Sequence, residues 1–172
     1  MLIGFGFVVW QRDRIRAHWW VMRIGQTEDS TERIFFAARM VGLGDVALGA
    51  VNRLARDTRP EISTLAVLAS SGFSEHRRAD FLKQLLYSSD DDLRHEAARA
   101  LAFMDSPTSR SHLLLTSIAA ERNASAVALS GLARLEGADV VSAICLCLQH
   151  EEPFVRAQAV ESLSEQIRSS PA

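Results

Sequence analysis

The chain repeats itself every 31 residues, and that period constrains its fold more than any other feature. Leu93, Arg94, Ala97 and Leu101 recur as Ala124, Ser125, Ala128 and Leu132, and again as Val155, Arg156, Ala159 and Leu163. Stepping back by one period, the same columns land on Ile62 and Ala66. A fixed period of this length marks stacked supersecondary units, none of which can bury its apolar face alone. Between residues 60 and 168 the apolar residues follow helical spacing, and no run alternates strictly polar and apolar, so helices are predicted and strands are not.

Column by column, the period resolves into two helices per unit. In the first helix Ala66, Ala97, Ala128 and Ala159 share one position, and three residues on stand Ala69, Ala100, Gly131 and Ser162. Small residues at i and i+3 lie on one helical face and allow a neighbouring helix to approach closely. The second helix has its own columns, Val51, Leu82, Leu113, Ile144 and then Leu54, Leu85, Thr116, Cys147, spaced for a core. Asp105-Ser106-Pro107 and Glu136-Gly137 separate first helix from second. Pro60, Asp90 to Asp92 and Pro153 open new units, and Asp90 to Asp92 or Asn123 can cap them. The earliest unit is slipped: Ala37-Ala38-Arg39 matches Ala97-Ala98-Arg99 at an offset of 60 rather than 62, a change that a loop absorbs cheaply. Four helix pairs are predicted, over 27–57, 60–88, 91–119 and 122–150, with a final helix over 153–168 and a short tail at 169–172.

The stretch DDLRHEAARALAFMDSP (Asp91 to Pro107), echoed by EPFVRAQAVESLS (Glu152 to Ser164), resembles HEAT repeats of the short kind first noted in phycobilisome lyases. Such repeats show an acidic opening, a Leu-Arg or Val-Arg pair, spaced alanines and a leucine. The resemblance implies an all-α solenoid, a superhelical stack of helix pairs whose second helices line the concave face. It implies less about activity, because these repeats serve lyases, adaptors and assembly factors alike. The unit RNASAVALSGLARLEG departs from the pattern in holding Ser125 where the others hold Arg94 and Arg156. An incomplete arginine column points to a structural role for those arginines rather than a shared binding site.

Residues 1–26 differ in composition. They hold all three tryptophans, Trp10, Trp19 and Trp20, and carry four arginines against Asp13 alone, a balance of +3, while the rest of the chain carries 15 Lys or Arg against 20 Asp or Glu. The opening MLIGFGFVVW has no charge and is followed at once by Arg12, Arg14 and Arg16, with Trp10, Trp19 and Trp20 at the boundary. That pattern reads like the cytoplasmic edge of a membrane segment. A run of ten apolar residues covers only about half of a bilayer core. Three readings follow: an interfacial anchor built on Phe5, Phe7, Val8, Trp10, Arg12, Arg14, Arg16, Trp19 and Trp20; a helix that caps the open end of the solenoid; and a helix that docks on a membrane-protein partner.

No catalytic constellation emerges. The histidines His18, His76, His95, His112 and His150 are scattered over separate units, and the GFG and GLG triplets lack the context of a phosphate loop. Cys145 and Cys147, two apart on one helix, point away from each other and are expected to be reduced, buried thiols. Neither a metal nor a cofactor is expected, and the acidic body disfavours nucleic acid. Glu75, His76, Arg77 and Arg78 form the densest charged stretch of the body and a possible surface contact patch. The expected function is therefore a non-enzymatic interaction scaffold, an accessory subunit or assembly factor at the cytoplasmic face of a membrane, with a protein partner. The alternatives are a chromophore (bilin) lyase-type enzyme or subunit, and a soluble adaptor whose first helix is a cap.

Overall fold

The computed structural model describes the backbone of residues 2–104, 106–119 and 122–169, and the side chains among these from 11 to 168. The described residues form helices and turns, with no strand. The chain divides into two compact units, residues 1–78 and 79–172.

The first unit opens with the long helix α1 (Leu2–Gln26), which packs on α2 (Ser30–Val41) and on a 3-10 turn (Gly44–Ala47) that leads into α3 (Leu48–Leu54). Asp29 caps α2 by accepting a hydrogen bond from the Thr31 N–H at 2.8 Å. The next helix is broken into α4 (Pro60–Ser63) and α5 (Leu65–Ala69), followed by a 3-10 turn over Ser70–Gly72, where the periodicity predicts one continuous helix. Its cause is local: the Ser63 and Thr64 hydroxyls both donate back to the Pro60 carbonyl, at 3.2 and 2.8 Å. Side chains that bond the backbone in this way compete with the helix ladder and bend it. Both α2 and α3 pack on α5.

The helix α6 (Glu75–Leu85) begins in the first unit and ends in the second. The second unit continues with α7 (Asp91–Met104), α8 (Pro107–Ser117), α9 (Arg122–Leu132), α10 (Ala138–Cys147) and α11 (Pro153–Ser169). Here α7 packs on α8 and α9, α8 on α9 and α10, and α11 on α9 and α10, so each pair buries its apolar face against the next. Ser106 and Ser109 form a reciprocal capping box that starts α8, with Pro107 in the first turn. Asp90 accepts from the Leu93 N–H at 3.3 Å at the start of α7. Asn123, a candidate cap by sequence, lies instead inside α9. Gly137 precedes α10 at φ 138°, a backbone conformation that other residues resist.

The repeat columns are the core. Ala66, Ala97, Ala128 and Ala159 are fully buried, as are Val51, Leu82, Leu113 and Ile144. A Cβ at Gly131 would stand 3.0 Å from Leu113 Cδ2 and 3.1 Å from the Ala98 carbonyl, so the small-residue column is small because neighbouring helices press on it.

Four junctions among the described residues share one device: a side chain early in the following helix donates to the carbonyl six residues behind it, in the turn that ends the preceding helix. Arg94 bonds the Ser88 carbonyl at 2.6 Å and Arg156 bonds that of His150 at 2.8 Å. Ser125, where the arginine column fails, bonds the Ala119 carbonyl at 2.6 Å. Arg33 does the same to Thr27 at 2.9 Å, just past the end of α1. Carbonyls at helix ends lack intrahelical partners and carry partial negative charge, so a donor there satisfies both needs. The arginine column is thus structural, and α1 joins α2 through the same contact that joins later second helices to the unit that follows.

Candidate docking face on the first unit

An α-helix turns 100° per residue, so residues two or nine apart fall on opposite sides. In α1 this separates two apolar stripes. Ala17 and Ile24 are fully buried, with Val21 half-buried between them, on the face turned to α2 and α3. On the opposite face Ile15, Trp19 and Met22 stand at i, i+4 and i+7 and are 68%, 48% and 50% exposed. Arg12, Arg16 and Arg23 follow the edge of that outer stripe. Large apolar groups spaced on one face and left to solvent make that face a candidate interaction surface.

Aromatic rings extend the face onto α2. Trp19 meets Phe36 edge-on at 5.8 Å between centroids, and Phe36 meets Phe35 at 5.6 Å. The Arg23 guanidinium lies 5.8 Å from the Trp19 and Phe36 rings, and that of Arg39 lies 6.0 Å from Trp20 and 5.5 Å from Phe35. Phe36 is buried, whereas Phe35 and Ile34 are exposed. Ring faces attract cations, so the arginines are held among the aromatics with their charge still near solvent. Arg23 also pairs with Glu32 at 3.0 Å. The Thr27 hydroxyl, with Arg23 second, holds the Glu32 carboxyl below the usual carboxylate range. Asp13 faces Arg12 at 3.8 Å and Arg16 at 3.4 Å.

Of the anchor residues predicted from sequence, Trp19, Trp20, Arg12, Arg14 and Arg16 fall on described positions of α1, while Phe5, Phe7, Val8 and Trp10 lie outside the residues whose side chains are described. Trp20 is only half exposed and turns toward Arg39. Sequence reading missed Phe35, Phe36 and Arg39, although a Phe-Phe pair with Arg four residues on is a legible helical cluster. No helix among the described residues is long and apolar enough to cross a membrane.

His18 sits half-buried on α1. Burial first, and then the charges of Arg53 and Arg14, lower its pKa from the ordinary 6.5. The unfolded chain therefore takes up the proton more readily, and the stability His18 contributes is present above about pH 6.5 and lost as pH falls toward its lowered folded value. Melting curves at about pH 7.5 and pH 5 should show the wild type losing more than a His18→Gln variant. Equal losses would remove His18 as the cause.

The residues of the charged stretch at the start of α6 differ in exposure and pairing. Glu75 and His76 are exposed, Arg77 reaches Asp45 at 3.6 Å, and Arg78 is half-buried with its pKa lowered by that burial. Asp45 also accepts from the Ser74 N–H at 2.9 Å and anchors the turn before α6. That backbone bond is the main cause of its depressed pKa. In the second unit His112 Nε2 lies 3.1 Å from Asp80 Oδ1, a pair that joins α8 to α6 and that the sequence did not suggest. A groove of about 430 Å³ is lined by Arg99, Phe103, Arg110, Arg134 and Leu135. Its Arg99 pairs with Glu96 and its Arg110 donates to the Glu136 carbonyl. Among the described residues no group of three or more His, Cys, Asp or Glu could hold a metal ion. Cys147 is buried, donates to the Ser117 carbonyl at 3.3 Å and has its thiol pKa raised by burial. Cys145, expected to be buried, is exposed, because the same 200° that keeps the two thiols apart turns it to solvent.

No protein-family model matches the chain, and no curated protein does either. Solved structures do. The complex of CpcE and CpcF of phycocyanin lyase from Nostoc sp. PCC7120 contains a chain that matches at TM-score 0.53 and 18% identity, covering 84% of this chain and 95% of that one. Two engineered proteins match at TM-scores of 0.41 and 0.40 with 16% and 15% identity, over 87% of this chain and 78% and 80% of theirs. At 18% identity the first likeness is one of fold, and with the buried repeat columns it assigns the chain to the all-α, HEAT-like solenoid class.

Proposed function

We propose that the protein is a non-enzymatic interaction subunit that works at a membrane-associated complex, with α1 as its point of attachment at the cytoplasmic face. The observation that supports this reading is the outer stripe of α1. Ile15, Trp19 and Met22 remain uncovered although Ala17 and Ile24 already satisfy the fold, and cationic Arg12, Arg16 and Arg23 run beside them. Amphipathic helices with Trp and aliphatic residues on one side and arginine at the edge settle in the headgroup region of anionic bilayers. In this reading α1 caps the helix stack with one face and meets the membrane with the other.

Flotation of the full chain with vesicles tests it. The protein should float with phosphatidylcholine vesicles that contain phosphatidylglycerol and less with phosphatidylcholine alone. An Ile15→Glu, Met22→Glu variant should lose about tenfold or more in partitioning, since two apolar contacts of about 1 kcal/mol each are replaced by charge. Failure to float with either vesicle would withdraw the membrane reading.

A second reading is a subunit of a bilin lyase-type assembly. In its favour is the fold match to a chain in the CpcE and CpcF complex, which covers most of both chains. A linear tetrapyrrole added to the protein should then show a shifted and sharpened absorbance band. An unchanged spectrum would count against that reading and leave the attachment reading standing.

A further inference from the structure

The second unit carries an uncovered face of different chemistry. Residues 111–119 of α8 and its end, and residues 140–150 of α10 and its end, contain no Asp, Glu, Lys or Arg. These stretches are one repeat apart, and α8 packs beside α10, so their solvent sides form one surface. On it Leu115 is 57% exposed, Ile118 53% and Leu146 68%, with Val141 and Cys145 also exposed. Leu115 and Leu146 occupy the same repeat position. In α6 that position is Gln84, on a helix with five charged residues and one histidine among its eleven. The column that α6 fills with Gln84 thus becomes aliphatic in the next two units.

Size and charge define the occupant. The two helices, of 11 and 10 residues, offer a surface about 15 Å long and roughly 20 Å wide. That is about 300 Å², well below the roughly 800 Å² per side of a standard subunit interface, but the right width for one helix laid in the seam between two. Acidic residues stand at both ends of α10: Glu136 before it, Asp139 in its first turn, where Arg110 of α8 pairs with it at 3.6 Å, and Glu151 and Glu152 after it, all four exposed. The unit as a whole carries 8 Lys or Arg against 13 Asp or Glu, a balance of -5. An uncharged apolar seam inside an acidic surround suits an aliphatic stripe with cations beside it.

We infer that the α8–α10 face binds a single amphipathic helix of a partner protein, with aliphatic residues at i, i+3 or i+4 and i+7 and with Lys or Arg flanking them. This inference rests on the interaction-subunit reading and names the partner's chemistry; it is independent of membrane attachment through α1.

The probe is a labelled peptide of about 18 residues, long enough to form helix, with a leucine stripe flanked by lysine; its counterpart has glutamate flanks. Fluorescence anisotropy with the full chain should report binding of the lysine peptide and at least about tenfold weaker binding of the glutamate peptide. A Leu115→Glu, Leu146→Glu variant should lose binding while its melting temperature and its flotation with vesicles stay unchanged, because both leucines face solvent. Equal binding of the two peptides, or of neither, overturns the inference. So does light scattering that shows a dimer dissolved by the same two substitutions, since the face would then be occupied by a second copy. Loss of flotation with peptide binding retained would instead count against the membrane reading alone.

Discussion

Gly72→Ala should be the most damaging single methyl that can be added to this protein. A Cβ at residue 72 would stand 2.0 Å from the Val41 carbonyl oxygen, 2.7 Å from its carbon and 2.9 Å from its Cα. All three are backbone atoms, so no rotamer change relieves the overlap, and the end of α2 must separate from the 3-10 turn after α5. Overpacking of this kind costs about 1–3 kcal/mol where side chains can adjust, and about 3 kcal/mol or more is expected where they cannot. Thermal melting should show the loss, and Gly49→Ala supplies the control. Nothing lies within 4 Å of a Cβ at Gly49, in α3, so that substitution should leave stability unchanged or raise it by up to about 1 kcal/mol. If both variants melt alike, α2 and the 70–72 turn do not approach as described.

Ala128→Leu should rank next. Ala128 is fully buried in α9 within the column of Ala66, Ala97 and Ala159, and α9 is pressed by α7, α8 and α11. Three extra carbons in that seam should cost about 1–3 kcal/mol, read as a lower melting temperature, and Ala97→Leu should behave alike. Ala157→Leu, on the exposed side of α11, should be nearly neutral. Wild-type melting of the buried variants would mean that the helices do not close on the alanine column.

Those columns were legible because repetition removes ambiguity. One alanine in a helical pattern says little, whereas the same small residue at four equivalent positions says that a neighbouring helix must come close at each. The turns were legible for a related reason: Pro107 after Ser106, and Pro60 and Pro153, stand where only a helix start tolerates them. The break at Thr64 was not legible, because it depends on two hydroxyls choosing the Pro60 carbonyl over solvent. Nor was the equivalence of Ser125 with Arg94 and Arg156. A residue-by-residue comparison reads Ser for Arg as a lost function, yet the bond to the carbonyl six residues back is kept.

The candidate faces divide the same way. Tryptophan and arginine in residues 1–26 singled out the first helix. Only its packing on α2 and α3 showed that one apolar stripe is used up inside the fold and the opposite one is left over. Leu115 and Leu146 gave no such signal, since an apolar residue in a helix is by default read as core.

By itself, then, the order of residues determined the helical class, the period, the small and large columns and the unusual composition of the first helix, because these follow from spacing and local backbone preference. Tertiary structure decided which apolar residues remain at the surface, which arginines are spent on carbonyls or aromatic rings, and where two helices make one uncharged face. Burial and pairing are properties of neighbours distant in sequence, and a periodic chain names its faces without saying which of them the next helix will cover.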